Sequence, residues 1–242
     1  MQKMAKLSNN IDVVYPVKHT ADDNLELRFS LRSLANIPHG KVYVFTNQPI
    51  EWLNAEQIIV ATATDNRFFD VNVKLRKACL DERISEDFLL MNDDFYILKP
   101  TDRMPYFADA KRLTLKDRYS EPNVGGGYYK QLHDAETYLN ELGKPSYNFE
   151  MHMPMVVNKQ KLLPIINAYV GNGARRSLYC NINDIKPTRQ VKDCKIYNDN
   201  ELPPANATFC SSFNVSFYEY SDLQLWLAHK FSAKCVYEKE GK

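Results

Sequence analysis

The sequence predicts an α/β fold, a mixed sheet flanked by helices, with an irregular second half. Two observations predict it. Across the first hundred residues short apolar runs alternate with helical periods, separated by short turns, which is the pattern of βαβ units. After Pro100 that alternation fades and aromatic residues become frequent. With 242 residues, 44% of them hydrophobic and 25% charged, the chain suits one domain of two lobes, 1–100 and 101–242. A core of that size needs neither disulfides nor a structural metal.

Each element has a local reason. Residues 11–17 read as a buried strand, because they are apolar and β-branched and Pro16 closes them. The stretch 22–34 opens with acidic residues and repeats Leu27, Leu31 and Leu34 on one helical face, until Pro38 and Gly40 stop it. Residues 41–46 and 57–62 are the next two strands, with Trp52 in the connection between them. A helix over 72–81 and a strand over 87–91 complete the first half. In the second half, Gly125–Gly127 read as a loop and 131–142 as a helix ended by Gly143. A helix over 159–170 must bend or break at Pro164. Residues 223–229 form a last helix.

Composition excludes several classes. Thirty-one basic and thirty acidic residues leave a formal charge of +1, so the chain is neither a basic nucleic-acid coat nor a polyanion mimic. The middle hundred residues nevertheless carry a net +4, a surface suited to phosphates. No apolar run approaches the ~20 residues that span a bilayer. The amino-terminal residues lack the apolar stretch of a secretory signal. Five scattered cysteines without a C-x-x-C pair read as reduced thiols, so a cytoplasmic location is expected and the sequons at Asn206 and Asn214 carry no weight. His19, His39, His133 and His229 have no metal-ligand spacing.

The chemistry concentrates at Asn92-Asp93-Asp94, directly after the apolar run 88–91. Open α/β sheets bind ligands at the carboxyl ends of their strands. Two adjacent carboxylates there call for a compensating cation. Mg²⁺ or Mn²⁺ takes one or two carboxylates together with phosphate oxygens. Asn92 and Asp94 stand two apart, the D-x-D spacing of sugar-nucleotide enzymes with Asn in first position.

Several ordered segments resemble the Stealth family of sugar-phosphate transferases, whose catalytic lobe is related to GT-A glycosyltransferases. They are Ile11–Tyr15, Glu26–Leu34, Val42–Asn47 with Trp52–Asn54, Ile84–Asp94, and then His152-Met-Pro154 with Arg176-Ser177. Together they span about residues 11 to 177. The chain departs from the family at Pro16-Val17 and at Phe68–Asn72, and no fourth block is recognisable after residue 200.

The resemblance implies a GT-A-like (Rossmann-like) fold with a nucleotide-sugar lobe (1–100) and an acceptor-side lobe (101–242). It implies a metal-dependent transferase using a nucleotide-diphosphate sugar. Asp94 is then the first metal ligand, Asp93 a second ligand or ribose contact, and Asn92 their support. Asp12 and Tyr15 are expected near the nucleotide at the mouth of the first strand, with Asn47 in the same binding set. Arg28 and Arg32 are candidates to clamp the diphosphate, and Lys74 to touch the pyrophosphate. His152 is the candidate general base towards an acceptor hydroxyl or a third metal ligand. Arg176, beside Arg175, is the candidate to neutralise the leaving phosphate.

Glycosyl transfer is the reading preferred from sequence, and sugar-1-phosphate transfer with release of a nucleoside monophosphate is its alternative. The acceptor is a glycan or, given the positive middle segment, a hydroxymethylated DNA base, which would have to be flipped out of its duplex. From another class, a non-catalytic sugar- or nucleotide-binding module would keep the same fold.

Overall fold

The computed structural model describes residues 4–20, 23–61, 66–121, 126–169, 171, 173–198, 200–213, 216–218 and 220–240; Asp22, Gly125, Val170 and Asn214 lie outside them. The first half builds β1 (Ala5–Lys6), β2 (Asp12–Pro16), α1 (Leu25–Ser33) with a 3₁₀ turn over Leu34–Asn36, β3 (Val42–Thr46), β4 (Glu56–Ile59), α2 (Arg67–Leu80), β5 (Asp87–Leu90) and β6 (Phe95–Ile97). The second half adds β7 (Arg103–Met104), β8 (Phe107–Asp109), α3 (Leu115–Tyr119), α4 (Gly126–Glu141), β9 (Met155–Asn158), α5 (Lys159–Ala168), α6 (Arg175–Ile182), β10 (Arg189–Val191), β11 (Phe209–Ser211) and α7 (Asp222–Lys230).

The main sheet has the order β4-β3-β2-β5-β9. Its first four strands are parallel and β9 runs antiparallel to β5, from Asp87 opposite Asn158 to Leu90 opposite Met155. The sheet is therefore mixed, because a strand of the second half completes it. Alternation of side chains puts a core on each face. Val14, Tyr43, Phe45, Phe88, Leu90, Met155 and Val157 point to a core shared with Leu75, Leu132, Leu162 and Leu178 of α2, α4, α5 and α6. Val13, Tyr15, Val44, Leu89 and Val156 point the other way, against Leu27 and Leu31 of α1 and against Trp52. A third cluster packs Phe29 of α1 and Tyr96 of β6 against Leu223 and Leu227 of α7.

Several boundaries differ from the sequence reading. α2 begins at Arg67, five residues early, because the Asn66 side chain accepts from the amides of Phe68 and Phe69 and caps it. Gly126 and Gly127 open α4 rather than lying in a loop. Pro164 sits inside α5 without ending it. The carbonyl it leaves without a helical donor is that of Gln160, which is exposed, so water can serve it.

Candidate functional site

From β2 the chain builds β3 and β4 on one side, then crosses to build β5 on the other. The crevice outside the carboxyl ends of β2 and β5 is therefore the topological switch point of the sheet, the place where open α/β sheets take ligands. The Met91 amide donates to Val14 O at 3.0 Å, so pairing between the two strands continues to the residue before Asn92. The Phe95 amide then donates to Asn92 O at 3.3 Å, closing a tight turn that holds Asn92, Asp93 and Asp94 at this crevice.

Asp94 is held from the second half of the chain. Its Oδ2 accepts from Ser211 Oγ at 3.0 Å and lies 3.1 Å from the Lys195 ammonium. Its backbone carbonyl accepts from the Ser212 amide at 3.2 Å. Its Oδ1 is buried without a hydrogen-bond partner. Burial and then the neighbouring Asp94 charge push the Asp93 carboxyl up from its ordinary value. Glu26, from the first turn of α1, joins the group: burial, then Asp93 and Asp94, push it up to about 8, and it accepts from Ser212 Oγ.

Arg176 supplies the opposing charge. α6 starts from Ala174 in a left-handed conformation (φ 50°), and its first turn carries Arg175 and Arg176. One terminal nitrogen of Arg176 donates to Asn92 Oδ1 at 3.0 Å, and its guanidinium lies 4.9 Å from the Phe95 ring centroid. Burial lowers its pKa against the pull of Glu150, and its Nε is buried without a partner. Arg175 turns away to Phe68 O and Asn72 Oδ1, at 3.3 and 3.2 Å, and burial pushes it down to about 10.

His152 stands in the left-handed region (φ 40°), an uncommon conformation for a residue with a side chain. Its Nδ1 lies 2.8 Å from Asp193 Oδ2. Burial raises the Asp193 carboxyl, but the His152 ring, its hydrogen bond, the Lys195 amide and the Lys195 charge outweigh burial and hold it below its ordinary value. Asp193 and Lys195 are two residues apart, so one short segment supports both His152 and Asp94.

The structure thus brings together Asn92, Asp93, Asp94 and Arg176, and links His152 to them through residues 193–195. Of the other expected site residues, Tyr15 and Lys74 lie within reach of the Asp93 charge, and each of the others is tied into the fold by its own contacts. Asp12 stands at the amino end of β2, opposite the mouth of the sheet, where its two oxygens accept from the amides of Lys41 and Ser85 at 2.7 and 2.8 Å. A Cβ on Gly40 would lie 2.4 Å from Asp12 Oδ1, so this lock also requires glycine there. Tyr15 is fully buried and its hydroxyl pairs with Ser30 Oγ at 3.0 Å. Arg32 grips Glu238 with two bonds of 2.7 Å and donates to Phe231 O at 2.8 Å. Arg28 lies 4.2 Å from the Trp52 ring centroid and pairs with Asp23 and Glu238 at 3.2 and 3.5 Å. Both guanidinium groups hold the carboxyl-terminal segment against α1 rather than reaching for a diphosphate.

Lys74 is fully buried, bonded to Asp70 and to Val17 O, the latter at 2.6 Å. Asn47 Oδ1 accepts from the His19 amide at 2.7 Å. These two residues shape the loops after β2 and β3 that border the crevice. Sequence reasoning missed Glu26, Asp193, Lys195, Ser211 and Ser212 as site residues. Only Glu26 left a signal, as an acidic residue in the opening turn of a helix directed at the strand ends.

Among the described residues no group of three or more His, Cys, Asp or Glu side chains is placed to hold a metal by itself. The hard oxygens of Asp93 and Asp94, with the buried and unpartnered Oδ1 of Asp94, are of the type a divalent cation takes together with phosphate oxygens. None of the helices among the described residues is long and apolar enough to cross a membrane. All five cysteines are free thiols. No protein-family model matches the sequence, and no curated protein matches it.

Proposed function

We propose that the chain is a metal-dependent transferase that uses a nucleotide-diphosphate sugar as donor. The observation that carries this reading is the bond from buried Arg176 to Asn92, which sets a guanidinium within reach of the Asp94 charge at the switch point of the sheet. A mixed sheet with its acidic turn after β5 supports a GT-A-like architecture. Asp94 and Asp93 would hold Mn²⁺ or Mg²⁺, whose chemistry there is to neutralise the donor diphosphate.

In the reaction, the Asp193 bond at Nδ1 orients the His152 ring and leaves Nε2 as the atom that takes the proton of the acceptor hydroxyl. The acceptor oxygen attacks the anomeric carbon, and the bond from that carbon to the diphosphate breaks. Arg176 holds the charge of the departing nucleoside diphosphate, an interaction strengthened by its burial.

One observation favours the second reading, sugar-1-phosphate transfer. The Arg176–Asn92 bond joins two of the segments that carry the Stealth resemblance, although they are 84 residues apart in sequence. In that reaction the acceptor oxygen attacks the phosphorus next to the sugar, and a nucleoside monophosphate leaves. The purified protein, Mn²⁺ and a panel of nucleotide sugars decide between them. Release of a nucleoside diphosphate identifies glycosyl transfer, and release of a monophosphate identifies sugar-phosphate transfer. Donor binding and turnover that are both absent would remove the enzyme.

A further inference from the structure

We infer that Tyr197 and Phe213 form a stacking platform for a pyranose ring beside the acidic turn. This rests on the nucleotide-sugar reading of the site and names a subsite within it. Lys195 and Ser211 are bridge partners in parallel register, with the Ile196 amide donating to Ser211 O at 2.8 Å and the Ser211 amide to Cys194 O at 3.1 Å. Both side chains meet Asp94 Oδ2. In extended chain the next side chains on the same face come two residues on, and these are Tyr197 and Phe213. Their ring centroids lie 5.6 Å apart at an interplanar angle of 48°. The Lys195 ammonium that pairs with Asp94 also lies 5.4 Å from the Phe213 centroid. The rings thus continue the row of side chains that faces the acidic turn.

They are 38% and 39% exposed, so part of each ring is free to meet a ligand. Their position selects the occupant. The loops after β2 and β3, tied by Asn47 and Lys74, border the crevice from the first half of the chain. The two rings belong to the second half and adjoin the Lys195 that pairs with Asp94. A donor whose diphosphate lies at Asp93 and Asp94, with its nucleotide over the first half, directs its sugar towards the rings. Pyranose C–H groups are polarised and meet the electron-rich face of an aromatic ring favourably. The ring that stacks belongs either to the donor sugar or to a saccharide acceptor.

The test uses the full chain and the variants Tyr197→Ala/Phe213→Ala and Tyr197→Leu/Phe213→Leu. The second keeps apolar bulk and separates loss of the ring face from loss of packing; thermal midpoints verify folding. Nuclear magnetic resonance saturation transfer reports binding of methyl pyranosides. Nucleotide release with Mn²⁺ gives the KM for nucleotide-hexoses, and titration gives the affinity for free nucleoside diphosphates. A tenfold or larger rise in donor KM with unchanged nucleoside diphosphate affinity assigns the platform to the donor sugar. A tenfold or larger loss of methyl pyranoside binding with unchanged donor KM assigns it to the acceptor.

Unchanged behaviour in both assays overturns the platform, as does an equal loss of free nucleoside diphosphate affinity, which would place the base on the rings. The two readings fail separately. Pyranosides bound through these rings by a protein that cleaves no donor would keep the platform and remove the transferase. Donor turnover and pyranoside binding that are both indifferent to the rings would do the reverse.

Discussion

The Lys195 ammonium lies 3.1 Å from Oδ2 of Asp94, across 101 residues of sequence. The lysine and the aspartate are only 12% and 17% exposed, and Ser211 completes the same oxygen's contacts. A cation is thus already built against the acidic turn, on one carboxylate oxygen, while the other oxygen is buried without a hydrogen-bond partner.

Asp94→Ala is expected to lower donor turnover by at least about a hundredfold, as loss of a preorganised electrostatic group does, with the fold retained. Nucleotide release with Mn²⁺ measures it. Lys195→Met removes the partner of a largely buried carboxylate and should cost about 2 kcal/mol in urea unfolding. Adding Mn²⁺ should return part of that loss, because a bound cation stabilises the folded state that binds it.

His152→Asn is expected to reduce transfer to an acceptor about 10² to 10⁴-fold, the range of a lost general base. Asp193→Asn should reduce it less, since that residue acts by orienting the ring. Single-turnover transfer separates the two from any effect on donor binding. Equal activity in wild type and His152→Asn would remove the histidine from the chemistry.

Lys74→Met is expected to destabilise the protein by about 3–5 kcal/mol, because it withdraws the cation facing buried Asp70 and the donor to Val17 O. The double variant Lys74→Met/Asp70→Leu should recover most of that loss. Urea midpoints of the four proteins form the cycle, and strictly additive losses would deny the coupling.

Stability should fall in acid through Glu238. Burial raises this carboxyl, but the Arg32 fork, the Cys235 amide and the Arg28 charge outweigh burial and hold it below its ordinary value. A folded-state value below the unfolded one, which is about 4.3, gives stability that is complete above that pH. It is lost as pH falls through the folded value. Thermal midpoints of wild type and Glu238→Gln between pH 7 and pH 3 should converge on the acid side. A constant difference would show that the charge is not what Arg32 and Arg28 hold.

The parallel half of the sheet was legible because its strands are continuous apolar runs such as Val13–Tyr15 and Phe88–Met91, buried on both faces. β9 left no such mark: Met155–Asn158 is four residues long and follows a proline. It becomes a strand by lying against β5. Three-residue strands such as β6 and β11 are likewise specified by pairing with each other and not by any local period. The same division runs through the site. Asn92–Asp94 stood out because carboxylates after a buried strand need a compensating charge. Asp193, Lys195 and Ser211 sit in unremarkable polar sequence and acquire their roles only by long-range contact. Arg28 and Arg32 mark the same limit, because in sequence a guanidinium pair on a helix looks the same whether it waits for phosphate or grips Glu238.

The antiparallel position of β9 bears on how the chain can be cut. A fragment ending near residue 150 would keep the four parallel strands of the main sheet and the whole acidic turn, yet leave β5 as an open edge. The backbone groups of Asp87–Leu90 that face β9 would lose their partners, beside side chains as apolar as Phe88 and Leu89. Such an edge invites pairing with another copy. Truncation before β9 should therefore yield a sticky, aggregating fragment, and expression trials should retain the chain at least through Asn158.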